Sequence, residues 1–124
     1  MMKLKSKKGF TLVELVIVIT VLAILAAVGI PVVSGIVKDA NSSADNANIA
    51  LFEAAIERYA ADMGETGGKG EYPANGTEAG TAIKAYTKLT EMPKPKSDSG
   101  SEFVYDSTSH KVAMDTTGSA IVFP

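Results

Sequence analysis

A long uncharged apolar run near the N-terminus constrains this chain more than any other feature. From Leu15 to Val33, 19 consecutive residues carry no charge, and only Thr20, Gly29 and Pro31 interrupt the apolar character. A helix needs about 20 predominantly apolar residues to cross the hydrocarbon core of a bilayer. The sequence therefore predicts one membrane-spanning helix over residues 10–37.

A cluster of positive charge precedes this run. Four of the 12 basic residues stand within the first nine positions: Lys3, Lys5, Lys7 and Lys8. Because basic flanks tend to stay on the cytoplasmic side of a span, the N-terminus is expected in the cytoplasm and the C-terminal part outside. Residues 1–9 are thus predicted to be a short basic leader ahead of an anchor.

The composition excludes several kinds of site. There is no Cys and a single His, His110, which rules out disulfides, thiolate nucleophiles, Cys-based zinc sites and His clusters. Without residues 1–9, eight basic residues face 14 acidic ones, a net charge of about −6. Nucleic acid is therefore not expected as the main partner, since phosphate binding needs a basic surface.

Glu14 is a charged residue at the start of the apolar segment. A carboxylate inside a span costs about 2.5–3.5 kcal/mol on insertion scales, so it must lie at the membrane edge, be protonated or have a partner. One interpretation is local: Thr11 and Glu14 have the spacing of a capping box. The other is a salt bridge to an α-amine that a cut after Gly9 would create on Phe10. Glu14 lies only four residues later on a rigid helix, so that pairing is expected between neighbouring subunits.

Residues 7–14, Lys-Lys-Gly-Phe-Thr-Leu-Val-Glu, resemble the cleavage and methylation motif of type IV pilins and type II secretion pseudopilins. The apolar helix that follows is similar to that family too, and beyond it the resemblance is only architectural. The resemblance implies that a membrane prepilin peptidase cuts between Gly9 and Phe10 and N-methylates Phe10. Glu14 would then guide the subunit into a helical filament, with an assembly platform and a cytoplasmic ATPase as further partners.

The same resemblance implies a location. The precursor would be a single-pass protein of the cytoplasmic membrane, and the assembled filament would be an extracellular pilus, used in roles such as cell adhesion or secretion. An ordinary signal peptide is the alternative, because Ala27-Val28-Gly29 has the small residues of a cleavage site and a cut there would release residues 30–124. The charge of Glu14 and the length of the apolar run are unfavourable for it.

Gly29 and Pro31 weaken the helix near the end of the apolar run. Pro lacks a backbone donor, and Gly lowers helix propensity by about 1 kcal/mol. Such residues are tolerated in a span as a mild kink. In the resembled family this zone can unwind during assembly, so a helix break is expected at Gly29 and Pro31.

Residues 38–124 are predicted to form a globular head. Apolar side chains recur every three or four positions over residues 38–63, which predicts a second, amphipathic half of the helix: Ile49, Phe52, Ile56, Tyr59, Ala60 and Met63. Charged residues such as Asp45 are expected off this stripe. Residues 64–95 are predicted to hold a Gly-rich irregular connection, with Gly64 as helix C-cap, and a short helix over Glu78–Glu91.

Three strand-like runs follow within residues 101–124: Glu102–Tyr105, Lys111–Met114 and Ala120–Phe123. The simplest arrangement is an antiparallel meander packed on the helix stripe, with Phe52, Ile56 and Tyr59 against one sheet face. The predicted fold is α+β and type IV pilin-like. A long N-terminal helix, apolar in its first half and amphipathic in its second, packs on a small sheet of about three strands.

No catalytic constellation emerges, so neither an enzyme nor a cofactor or small-molecule substrate is expected. Asp98, Glu102, Asp106 and Asp115 cluster in the C-terminal third, and calcium prefers such oxygen ligands. Their spacing fits no calcium loop, so solvated turn acids are the preferred interpretation and no metal site is predicted. His110 is expected to be an exposed turn residue.

The sequence thus predicts a structural subunit that forms a homo-oligomeric filament. The N-terminal helices would bundle in the filament core, with the acidic heads outside. A pseudopilin of a type II secretion system, or a competence pilin that binds DNA, is the alternative that the sequence leaves open.

Overall fold

The computed structural model describes residues 8–65 and 71–124 of the chain. In chain order these contain the helix α1 (Leu12–Glu65), the helix α2 (Gly76–Tyr86) and the strands β1 (Glu102–Asp106), β2 (Lys111–Asp115) and β3 (Ser119–Ala120). The chain divides into two compact units, Met1–Val37 and Lys38–Pro124. Most of the predicted leader, residues 1–7, lies outside the described residues, as do residues 66–70 of the predicted irregular connection.

The N-terminal unit consists of the apolar part of α1. Its large apolar side chains from Leu12 to Val37 are all at least 45% exposed, so none of them finds a core within the chain. Within the described residues, α1 is the helix long and apolar enough to cross a membrane. A helix that is apolar on all sides is expected to be covered by lipid or by other helices.

The second unit has a small core between α1, α2 and one face of a sheet. Phe52 and Ile56 of α1 and Ile83 of α2 are completely buried. The Phe52 ring meets Phe103 of β1 edge to face, with 5.2 Å between ring centroids. The predicted α+β fold is confirmed: the amphipathic half of a long helix packs on a three-stranded antiparallel sheet. Tyr59 is only half-buried and its ring meets Tyr86 of α2 instead.

The strand order is β2-β1-β3, with both pairings antiparallel, so the predicted meander is wrong. In a meander β2 would be central, whereas here β1 is central and the chain passes over it between β2 and β3. Gly118 makes this crossing possible, since a Cβ there would lie 2.6 Å from the Cβ of Val104 in β1. Regular pairing in β3 covers two residues, and Ile121 N–H adds one more bond to the Phe103 carbonyl (2.9 Å).

Both edges of the sheet are contacted by a helix of the same unit. At the β2 edge, the Glu53 carboxylate accepts a bond from Val112 N–H (3.2 Å) and pairs with Lys111 (3.4 Å). At the β3 side, α2 approaches so closely that a Cβ at Gly76 would lie 2.1 Å from the Ala120 carbonyl oxygen. The Val112 amide is thereby withheld from a further strand, and α2 lies against the β3 side.

The short helix α2 is displaced from its predicted bounds and ends earlier. It begins at Gly76 because Asn75 is its N-cap, with Oδ1 accepting from Thr77 N–H and Glu78 N–H (both 3.0 Å). It ends at Tyr86 because Thr87 turns extended and its hydroxyl donates to the Ile83 carbonyl (2.7 Å). At the other helix end, α1 runs through the predicted cap, Gly64, to Glu65.

Candidate processing and assembly site

The predicted scissile bond lies in exposed, non-helical chain. Residues 8–11 have no regular secondary structure, and α1 begins at Leu12. The Phe10 side chain is 94% exposed, and no atom lies within 4 Å of the position a Cβ would take at Gly9. Nothing in the described chain therefore blocks access to the bond between Gly9 and Phe10.

Thr11 and Glu14 form the predicted capping box. Thr11 N–H donates to Glu14 Oε2 (2.9 Å), and Glu14 N–H donates to Thr11 Oγ1 (3.2 Å). The Thr11 carbonyl accepts the first helical bond from Leu15 N–H (3.2 Å). These bonds satisfy amides that a helix start leaves without intrahelical partners, and they place the carboxylate at the positive end of the helix dipole.

The capping box changes the argument about Glu14 and Phe10. The side chain reaches back three residues to the Thr11 amide, so helix rigidity does not keep it away from the chain before the helix. The bond reaches Thr11 and not Phe10, so the pairing of Glu14 with the Phe10 amine of a neighbouring subunit stays a prediction. Oε1 accepts no hydrogen bond from any other described residue, so this oxygen is available to an amine of either subunit.

Gly29 and Pro31 lie inside α1, which continues through both positions. Neither the chain around Gly29 nor that around Gly35 crowds the helix, since a Cβ at either would meet no atom within 4 Å. Near Pro31, the Ser34 hydroxyl donates to the Ile30 carbonyl (2.9 Å), in the manner of Ser side chains inside apolar helices. The single subunit thus has an intact helix here, and its unwinding during assembly remains a prediction.

Asp45 is the residue whose role the sequence reasoning missed. It was expected off the apolar stripe, yet it is completely buried. Its carboxylate accepts bonds from Lys96 N–H (2.9 Å), Ser97 N–H (2.7 Å) and the Ser97 hydroxyl (2.5 Å). Burial raises the pKa of Asp45, but the bonds from Ser97 and Lys96 outweigh burial and hold the pKa below its usual value. Spacing was the available signal, because Asp45 precedes Ile49 and Phe52 by four and seven residues.

The structure does not assemble the candidate calcium ligands. Asp98 accepts bonds from its own turn, from Gly100 N–H (3.0 Å) and the Ser101 hydroxyl (2.6 Å). Asp106 and Asp115 do the same in their turns, and these bonds hold the pKa of all three carboxyls below the usual value. Over residues 8–65 and 71–124, no three His, Cys, Asp or Glu side chains are grouped as a metal site.

His110 is exposed and lies in the turn between β1 and β2, as predicted, and its ring has partners on two sides. The imidazole stacks on Tyr72, with 3.9 Å between ring centroids, and Nδ1 lies 3.3 Å from the hydroxyl of Tyr105. These contacts fasten the segment before α2 to the β1–β2 turn. They do not combine a nucleophile with a general base, as a catalytic site would.

Comparison with known proteins gives one match, and it falls on this N-terminal segment. Residues 4–30 match the family model of the prokaryotic N-terminal methylation motif. No curated protein and no solved structure matches the chain. The matched residues include Gly9, Phe10, Thr11 and Glu14, and extend nearly to the end of the apolar run. The N-terminal segment therefore carries a sequence similar to the prokaryotic N-terminal methylation motif, at the start of a helix that is long and apolar enough to cross a membrane.

Proposed function

We propose that this protein is the structural subunit of a type IV pilus-like filament. A prepilin peptidase cuts the precursor after Gly9 and N-methylates Phe10, and the mature subunit then assembles through its N-terminal helix. The observation that carries the proposal is the arrangement at the helix start. An exposed Gly9–Phe10 bond lies within the matched motif and directly before a helix whose first turn carries the Glu14 carboxylate.

The cut supplies Glu14 with an ionic partner. It creates an α-amine on Phe10, one residue before the amide that Glu14 already holds. In a poorly hydrated environment, an ammonium and a carboxylate that form an ion pair have a smaller desolvation cost than either group has when it is unpaired. In the filament, the free oxygen of Glu14 receives the amine of an adjacent subunit, and this pairing sets the position of each added helix.

The helix surface is suited to bundling. Its apolar side chains are exposed along the whole N-terminal unit. Small residues allow helices to approach closely where lipid gives no hydrophobic driving force. They recur here as Ala23, Ala26, Ala27 and Gly29. Subunits are stored in the cytoplasmic membrane with the leader on the cytoplasmic side. A membrane platform and a cytoplasmic ATPase drive their assembly into a surface filament.

The mature N-terminus is the first test. Mass spectrometry of the processed protein is expected to show a chain that begins with N-methylated Phe10. An intact leader, or a chain that begins at Ile30, would contradict the proposal. Electron microscopy of the cell surface then distinguishes long fibres from the short or retractile ones that a pseudopilin or competence pilin would form.

Two substitutions separate the charge of Glu14 from its capping role. Glu14→Gln removes the charge but keeps an acceptor for Thr11 N–H, because Gln also serves in capping boxes. Thr11→Val removes the capping hydroxyl and keeps the charge. Glu14→Gln is expected to give processed membrane subunit without filaments, while Thr11→Val still forms filaments. If the Glu14→Gln variant forms normal filaments, the proposed ion pair between Glu14 and the Phe10 amine is wrong.

A further inference from the structure

The head has one locally basic segment. The segment 84–96 holds four of the eight basic residues that remain without residues 1–9, and Glu91 is its one acid. We call the four the lysine segment; all are exposed: Lys84, Lys88, Lys94 and Lys96. This region has a net charge of about +3, within a mature chain of about −6. Acids are nonetheless near it, since Glu91 and Glu102 line the same cavity as Lys94.

The lysine segment is only partly neutralised within its own subunit. Among the described residues, none of its four ammonium groups lies within 4.0 Å of an Asp or Glu carboxylate, the distance of an ion pair. The charge of Lys96 nevertheless helps to lower the pKa of the buried Asp45, and Lys84 donates to an oxygen of Pro124 (2.9 Å). Lys88 and Lys94 are therefore the two lysines that are open to a counter-charge from solvent ions or from another molecule.

The backbone that carries these lysines is fixed at both ends. Before Lys88, Thr87 N–H remains bonded to the Ile83 carbonyl of α2 (2.9 Å). At the far end, Lys96 N–H is bonded to the buried carboxylate of Asp45 (2.9 Å). The positive charges thus project from an ordered segment, which lowers the entropic cost of docking.

Opposite charge collects on the outer face of the sheet. Glu102 of β1 stands directly opposite Asp115 of β2, and like charges opposed across strands destabilise a sheet. Asp106 stands opposite Lys111, but that lysine reaches to Glu53 on α1. We call Glu102, Asp106 and Asp115 the outer acids; all three are exposed. The hydrogen bonds to Asp106 and Asp115 come from their own turns and bring no positive charge.

We propose that the lysine segment of one copy docks against the outer acids of a second copy in the assembled state. The inference rests on the proposed function, because the N-terminal helices must hold the heads side by side. A single exposed ion pair contributes little to stability. Subunits already joined through their helices are at high effective concentration, so several weak pairs suffice to fix how the heads meet.

A second copy fits this surface better than a polyanion. The mature chain is acidic overall, which repels nucleic acid and other polyanions at long range. A copy of the same chain presents Glu102 and Asp115 side by side on the outer sheet face, against lysines on an ordered segment. A partner that brings cations to that face relieves the repulsion between the two carboxylates.

Charge reversal in the full-length chain tests the contact. The lysine reversal is Lys88→Glu with Lys94→Glu, the acid reversal is Glu102→Lys with Asp115→Lys, and Lys38→Glu is the control outside both surfaces. Each reversal alone is expected to lower filament yield at low salt roughly fivefold, the effect of a few exposed pairs. Both reversals in one chain restore the yield. Lack of rescue would overturn the proposal, as would a lysine reversal that abolishes binding of DNA fragments but leaves filaments unchanged.

Cysteine cross-linking gives a second measurement. Because the chain has no Cys, introduced thiols are unambiguous. Cells that produce Lys94→Cys and Asp115→Cys chains together are expected to yield a mixed disulfide dimer on mild oxidation, and the pair Lys38→Cys with Asp115→Cys none. Equal cross-linking of both pairs would refute the docking. In every variant the mature N-terminus is read by mass spectrometry, since a start other than Phe10 reports failure of the processing proposal instead.

Discussion

Asp45 and Ser97 are joined inside the head although 52 residues separate them in the chain. One carboxylate oxygen of Asp45 accepts both the backbone amide and the hydroxyl of Ser97 (2.7 and 2.5 Å). The segment after α2 has little regular structure of its own. The bond therefore fixes its path against α1 and places the start of the strands.

We expect Asp45→Asn to destabilise the head by about 3 kcal/mol, in the range for buried hydrogen bonds to charged groups. Asn has one acceptor oxygen, and its NH₂ group would face the amides of Lys96 and Ser97 as a second donor. Urea unfolding of the full chain in detergent measures this, followed by tyrosine fluorescence, since the protein has four Tyr and no Trp. Asp39→Asn is the matched control on an exposed stretch of the same helix and should change stability by less than about 0.5 kcal/mol. Similar losses in both variants would contradict the role given to Asp45.

Acid should weaken the head through the same carboxylate. The folded state holds the pKa of Asp45 below its usual value, so this group contributes stability that is fully present above the unfolded pKa of about 3.9. The contribution is lost as the pH falls below about 4 and the folded carboxylate takes up a proton. Thermal unfolding by circular dichroism between pH 7 and 3 should show this loss, and Asp45→Asn should reduce it to the part that Asp98, Asp106 and Asp115 contribute. The same acid slope in the variant would assign the loss to other carboxylates.

Local patterns predicted the long apolar helix and its start, because those signals lie within a few residues. The spacing of Thr11 and Glu14 gave a capping box as one of two interpretations, and the structure contains it. The cut after Gly9 and the methylation of Phe10 stay predictions. The apolar stripe likewise identified Phe52 and Ile56 as core residues.

The predictions were wrong where contacts between residues far apart in the chain determine the structure. β3 pairs with β1 because Gly118 permits a crossing over Val104, and no local pattern reports such a contact. Asp45 lies at the helical spacing of the core residues, but it was predicted to lie outside the core because it is charged. Two of its three donors are backbone amides, at Lys96 and Ser97, which any residue type except Pro could supply; the third is the Ser97 hydroxyl.

The approach of α2 to the C-terminal segment leaves no room for a side chain at Gly80. A Cβ there would lie 2.0 Å from the carbonyl oxygen of Val122. Gly80→Ala is therefore expected to cost about 2 kcal/mol, as overpacking of a close contact does. Gly100→Ala is the control, because its Cβ would meet only the Asp98 carboxylate at an ordinary 3.6 Å. Equal stability of the two variants in urea would show that the C-terminal segment moves away freely.

His110 has a left-handed backbone conformation, with φ of 58°, and its ring makes two contacts. Substitutions of His110 can therefore separate the backbone effect from the loss of the ring contacts. His110→Asn and His110→Val each lose the stack on Tyr72 and the contact with the Tyr105 hydroxyl. Asn tolerates the left-handed region, whereas a β-branched side chain is strained there. We therefore expect His110→Val to be less stable than His110→Asn by about 1–2 kcal/mol, measured by urea unfolding of the full chain. If the two variants are equally stable, the β1–β2 turn must relax out of the left-handed conformation at little cost.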